Sequence, residues 1–343
     1  MTIASTLRLG LCSVLISALA TGCSNNAATE ETADNASLAQ DSKSLAITQI
    51  VEHPSLDDIR RGILDELASQ GYVEGENLEV NFQSAQGNTA TAAQIAKQFV
   101  GDAPDAIIAI STPSAQSLVT ATTSIPIIYT AISDPVGAKL LTADGEPFQS
   151  NLTGLSSQLP LDPQLNLLQQ IKPNLKTVGY VYSPGEANSV SLRDDLKQAL
   201  AARGLTLLDI PANRPNDIGM ATRSLQGRAD IIYTSFDNNV ASAFEAMAQA
   251  ANEIDMPIVA SDEFSVRRGA TAAFGVNDYD FGRTTGKMVY RVLNGEAVNT
   301  IQPEVMNKLT LYISPKHAEE QGVELPADMI KYGINVDTTP RAE

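Results

Sequence analysis

From Leu45 onward, short β-rich apolar runs alternate with helix-length amphipathic runs, a pattern that admits little other than a parallel-sheet α/β architecture. Strands are expected at 45–51, 78–82, 106–110, 125–130, 177–182, 206–210, 231–234, 258–260 and 272–276, with a helix between most successive pairs. The helix after Pro54 has Ser55 as its expected cap, Asp57 and Asp58 at its positive end, an apolar stripe of Ile59, Ile63, Leu64 and Leu67, and Gly71 as its stop. A second helix turns Val190, Leu196 and Leu200 inward and ends at Gly204, and a third carries Val240, Phe244, Met247 and Ala251 at packing-stripe spacing.

One βαβ plan occurs twice. Residues 105–111 lead through a helix to 125–128 and then Ser133-Asp134; residues 230–235 lead through a helix to 256–259 and then Ser261-Asp262. Both units end their strands on small hydroxyls and carboxylates, and ligands of open α/β sheets collect outside the carboxyl ends of the strands. The chain beyond residue 44 is about 300 residues long, more than one core usually supports, so two lobes with polar loops facing a shared cleft are expected.

Composition removes several functions. Acidic side chains outnumber basic ones 40 to 23, for a net charge of −17, and no Lys/Arg cluster exceeds the pairs Arg60-Arg61 and Arg267-Arg268, which read as solvated helix surface. A nucleic-acid partner is therefore not expected. The two histidines, His53 and His317, lack ligand-like spacing, so neither a metal nor a cofactor is expected. No G-x-S-x-G elbow, Walker loop or G-x-G-x-x-G after the first strand is present.

Ahead of the folded part, residues 9–23 run apolar, turn small and end on Cys23, with Arg8 before them and polar residues after. This resembles a lipoprotein export signal, too short to span a bilayer comfortably, comprising residues 1–22 with Cys23 as the acylated first residue of the mature chain. Cys12 leaves with the signal, so no free thiol remains. Residues 23–44 hold a single large apolar side chain, Leu38, and read as a disordered tether with a reach of roughly 25 Å. The protein is expected to be exported and lipid-anchored to the cell membrane or outer membrane, facing the periplasm or exterior.

The polar strand ends supply the candidate ligand contacts, each with an ordinary structural alternative. In Ser111-Thr112-Pro113-Ser114, Thr112 reads as an N-cap and Pro113 as the first helical residue; the free N–H groups, with Thr112 and Ser114, either bind a ligand carboxylate or simply cap. In the matching position of the second half, Asp237 with Asn238 offers either an acceptor for an α-ammonium group or an N-cap. Glu186 and Asn188, after the strand ending at Tyr182, and His53, after the first strand, divide in the same way between ligand and local roles. Asp134 and Asp262 complete the set of converging carboxylates, which in a different reading form the acid/base pair of an exported hydrolase.

Five longer stretches carry a resemblance: 51–57, 111–116, 133–138, 184–189 and 237–242, continuing through Asp278-Tyr279-Asp280-Phe281-Gly282-Arg283-Thr284-Thr285-Gly286. They resemble the TrpX-like family of ABC-transporter substrate-binding proteins over nearly all of residues 45–330. The resemblance implies a periplasmic-binding-protein type I fold: two Rossmann-like lobes with parallel sheets joined by a three-crossing hinge. Lobe 1 would hold 45–155 plus about 279–302, and lobe 2 would hold 156–278 plus about 303–343, placing Tyr279 by the hinge as a further candidate ligand contact. It further implies a monomeric, non-enzymatic receptor that captures a small molecule, an aromatic amino acid foremost, for an ABC permease. A sugar or nucleoside receptor of the same fold is the alternative among binding proteins.

Overall fold

The computed structural model describes residues 42–340. The expected signal segment, Cys23 and nearly all of the expected tether lie outside the described residues. In chain order the first half holds β1 (Lys43–Gln49), α1 (Pro54–Ser69), β2 (Leu78–Ser84), α2 (Thr89–Asp102), β3 (Ala106–Ile110), α3 (Thr112–Ala121), β4 (Ile127–Ile132) and β5 (Leu152–Ser156). It continues with α4 (Leu161–Ile171), β6 (Thr177–Tyr182), α5 (Ala187–Ala202), β7 (Thr206–Pro211), α6 (Ile218–Arg223), β8 (Ile231–Tyr233), α7 (Asn238–Ser242), α8 (Phe244–Glu253) and β9 (Ile258–Asp262). The last part is α9 (Glu263–Arg267), β10 (Ala272–Val276), α10 (Asp278–Leu293), β11 (Glu304–Val305), β12 (Thr310–Ile313), α11 (Pro315–Glu320), α12 (Ala327–Tyr332) and β13 (Ile334–Asn335).

These elements build two sheets, ordered β11-β5-β4-β3-β1-β2 and β13-β12-β10-β9-β8-β6-β7. All pairings are parallel except β10 with β12. The central strands read as continuous apolar runs because helices cover both faces; every residue of β3, β5 and β9 is buried. Each lobe accordingly has two apolar layers, one on either side of its sheet, as with the cluster around Ile47, Ile63 and Phe281 and that around Ala46, Phe99 and Tyr129 in lobe 1. The repeated βαβ units lie in different sheets, β3-α3-β4 in one and β8-α7-α8-β9 in the other. The chain passes between sheets after β5, after β10 and after β11.

Several local expectations are corrected. β1 begins at Lys43, because Ser44 N–H and Oγ both bond the Asp105 carboxylate and pull the last tether residues into the sheet. β11 pairs with β5, so lobe 1 reaches past residue 302 to Val305. β4 runs from Ile127 to Ile132 rather than from Ile125, and its pairing with β5 shifts register between Tyr129 and Ile132, where Ala131 has φ 56°. The third expected helix breaks at Ala243 into α7 and α8. Strands β5, β11, β12 and β13 carried no apolar signal strong enough to be expected.

Candidate ligand-binding site

Strand ends and helix starts from both lobes surround one cavity enclosing about 620 Å³ of empty space, its mouth included. Lobe 1 contributes His53 and Ser55 from the start of α1 and Ser111 and Thr112 from the start of α3; lobe 2 contributes Asn188, Asp237, Asn238 and Asp262. Val51, Leu56, Phe236, Val240 and Phe244 supply apolar wall between these polar groups. Apolar walls with a few converging polar groups are the usual make-up of a small-molecule site.

α3 starts in an unusual way. Ser111, not Thr112, is its N-cap residue; it makes no side-chain cap bond and holds φ 80°, ψ 154°, a conformation that is nearly glycine-only. The Ser111 N–H still bonds Thr130 O and its carbonyl still accepts from Ala115 N–H, so both neighbours impose the strained turn. The first N–H groups of α3 are therefore left without an internal acceptor at the cavity edge, where the helix dipole favours negative charge.

Four carboxylates lie on or behind the cavity wall, Asp237, Asp262 and Asp278 buried and Glu186 half-buried. Asp237 accepts from Ser183 N–H (2.6 Å), Ser183 Oγ (2.7 Å), Ser189 Oγ (2.7 Å) and Val240 N–H (3.0 Å). Those four donors match its acceptor capacity, so Asp237 caps α7 and ties it to the end of β6 and to α5. Asp262 caps α9 and accepts only from Ser265, N–H at 2.8 Å and Oγ at 2.7 Å, leaving lone pairs toward the cavity. Asp278 is buried and bonded by Ser55 Oγ; burial and the nearby Asp262 push its carboxyl well above the usual carboxylate range. Glu186 lies behind Asn238, and burial followed by the charge of Asp237 pushes it up to about 7.

Three polar contacts join the lobes across the cleft, beside the edge-on packing of the His53 ring against Phe264. Arg268 Nη1 meets His53 Nε2 at 2.7 Å, Ser111 Oγ donates to Asn238 Oδ1 at 3.4 Å, and Ser191 Oγ donates to Asp134 Oδ2. Arg268 is aimed by two bonds to Glu245, 2.7 and 2.5 Å, and one to Ala241 O at 2.8 Å. A neutral imidazole accepts at one nitrogen only, and a guanidinium always donates, so Nε2 is the acceptor; Nδ1 then carries the proton, and the Ser55 N–H 3.3 Å away makes no hydrogen bond to it in this tautomer. Burial, with the Arg268 charge beside it, lowers His53 below its ordinary 6.5 despite Asp262, Asp57 and Glu245.

Of the expected contacts, His53, Thr112, Asn188, Asp237, Asn238 and Asp262 line the cavity. Asn188 donates to Phe236 O at 2.7 Å and leaves its own Oδ1 unpartnered. Ser114 is fully buried beneath Thr112 and Glu186 is one layer back, so neither lines it. Asp134 lines an adjoining depression at the rim with Ser191 and Asp195. Tyr279 does not line the cavity either: it packs beside α1, its hydroxyl donating to Asp65 at 2.9 Å. Arg268 was missed because an Arg-Arg pair after a short helix reads as surface; only its place just beyond a polar strand end hinted at more. Ser55 was read as a cap, but His53 occupies that position. Among the described residues, no group of three or more His, Cys, Asp or Glu could hold a metal ion, and no helix is long and apolar enough to cross a membrane.

Known proteins agree with this architecture. The family pattern described as ABC transporter substrate binding protein matches residues 44–337. A tyrosine-binding protein of Clostridioides difficile is 34% identical over 328 residues, 95% of each chain. A solved Streptococcus pneumonia ABC domain in complex with L-Trp superposes with a TM-score of 0.81 at 32% identity, covering 85% of this chain and 98% of that one. The ligand-free, open structure of a Clostridium difficile substrate binding protein with adhesive properties gives 0.66 at 35% identity, covering 87% and 100%. At near-equal identity the tryptophan complex fits better than the open structure. These relatives are binding proteins, not enzymes, and by its sequence match and its two-lobed fold the chain belongs to the ABC transporter substrate-binding protein family.

Proposed function

We propose that the protein is the extracytoplasmic receptor of an ABC importer, tethered through a lipid on Cys23, and that it captures an aromatic amino acid between its lobes. One observation carries the ligand assignment: uncapped N–H groups at the start of α3 face a cavity whose opposite lobe presents Asp262 with unused lone pairs. A zwitterion satisfies both ends at once, its carboxylate at α3 and its ammonium at Asp262. Val51, Leu56, Phe236 and Phe244 offer apolar surface for a flat side chain, and the unpartnered Asn188 Oδ1 offers an acceptor to a ligand donor. The tyrosine and tryptophan relatives support the same ligand class.

The test is calorimetric titration of residues 24–343, stripped of co-purified ligand, with the twenty amino acids. Tyrosine, phenylalanine or tryptophan should bind one to one. Asp262→Asn, which keeps the N-cap but removes the charge, should weaken binding about tenfold or more with little change in melting temperature. Silence across all twenty with folded protein rules out the amino-acid assignment, and unchanged affinity in Asp262→Asn rules out the ammonium contact.

A further inference from the structure

Glu186 precedes α5 as its N-cap residue, yet its side chain does not cap that helix. It turns instead to the start of α7, where Oε2 accepts from Asn238 Nδ2 at 2.6 Å and Asn238 N–H at 3.2 Å. We propose that Glu186 is a positioning residue for ligand capture, holding the Asn238 carboxamide so that its oxygen faces the cleft and the opposite lobe. This rests on the reading of the cleft as the ligand site.

The two ends of a carboxamide have nearly the same shape, so only hydrogen bonding decides which way it points. With Nδ2 held on a carboxylate, Oδ1 must point forward, where Ser111 Oγ of lobe 1 donates to it. The flipped amide would set its oxygen against the carboxylate. Asn238 lines the cavity and Glu186 does not, so Glu186 acts on a ligand through Asn238.

The surroundings of Glu186 disfavour its ionised form. Asp237 of α7 and Tyr180 of β6 are the titratable groups facing it, and the Asn188 and Asn238 amides complete its contacts; no cation is among them. A buried carboxylate next to a second carboxylate is costly to ionise. Its return is the orientation of Asn238, and that return depends on charge, since a carboxylate is the stronger acceptor.

The affinity for L-tyrosine and L-tryptophan, measured from pH 8 to pH 6, should fall about fivefold in the wild type, with a step near the point to which burial raises Glu186. Glu186→Gln, a mimic of the protonated form, should bind at pH 8 as the wild type does at pH 6 and lack that step. His53 titrates below 6.5, and its separate contribution survives in the variant. In the ligand-free wild type, the Asn238 carboxamide resonances should move through the same pH range. Stationary resonances, or a step retained in Glu186→Gln, overturn the proposal. The resonance measurement needs no ligand, so it decides the role of Glu186 even where no amino acid binds, an outcome that removes only the amino-acid assignment.

Discussion

Asp237 and Glu186 sit close together after β8 and β6, and the donors around them separate their roles. Asp237 has four donors and serves the fold; Glu186 is held by the backbone and side-chain N–H groups of Asn238, with the Asn188 amide beside them. Because Glu186 holds its proton up to about 7 when folded but only to about 4.5 when unfolded, the folded state binds more protons between those values. Its contribution to stability is therefore fully present below pH 4.5 and lost as pH rises through 7, a loss on the order of 3 kcal/mol. Glu186→Gln escapes that loss, so its urea stability should gain on the wild type as pH rises from 4.5 to 7, even as its ligand affinity declines; parallel stability curves at all pH values would contradict this. Stability and binding pull in opposite directions at this residue.

α1 and α10 are where helix packing holds lobe 1 to the hinge. Their backbones approach so closely that a Cβ at Gly282 would lie 2.2 Å from Ile59 O, and one at Gly62 would lie 2.4 Å from Tyr279 O. Arg283 and the buried Glu66 carboxylate, 2.7 Å apart, clamp the same pair. Gly282→Ala should therefore cost about 2 kcal/mol in urea unfolding by forcing the helices apart. A cost under about 0.5 kcal/mol would show that the crossing yields freely. The apolar stripe of α1 was legible from sequence because its period depends on local geometry alone. The partner of that stripe was not, since α10 lies more than 200 residues further on. Helix starts were legible to within two residues: His53 and Ser111 took the cap positions expected of Ser55 and Thr112. Which residue caps depends on the backbone dihedrals that the preceding strand delivers.

Closure of the cleft belongs to the whole molecule, because each contact draws one partner from each lobe. Arg268 is held by Glu245 and Ala241 within lobe 2 and reaches His53 in lobe 1. Such a contact exists only when the lobes meet, so it shifts the open–closed equilibrium rather than the initial encounter with ligand. Arg268→Gln should weaken ligand binding about tenfold, chiefly through faster dissociation, with the association rate nearly unchanged in stopped-flow measurements. An equal loss in both rates, or none, would place Arg268 outside the closing step.

The alternation of strands and helices, the repeated βαβ unit and the polar strand ends were set by the sequence itself, since hydrophobic period and capping chemistry act over neighbouring residues. That is enough to specify two α/β lobes and to place His53, Thr112, Asn188, Asp237, Asn238 and Asp262 at one cleft. Tertiary structure alone decided what each carboxylate does there. Asp237 and Asp262 look alike in sequence, each after a strand and before a helix, yet one is filled by donors from the end of β6 and from α5 while the other accepts only from Ser265 of its own helix. Tertiary structure also packed Tyr279 beside α1 and brought Arg268 across to His53. The reason is physical: a side chain's role follows from the partners that share its hydrogen bonds, and these partners come from segments far apart in the chain.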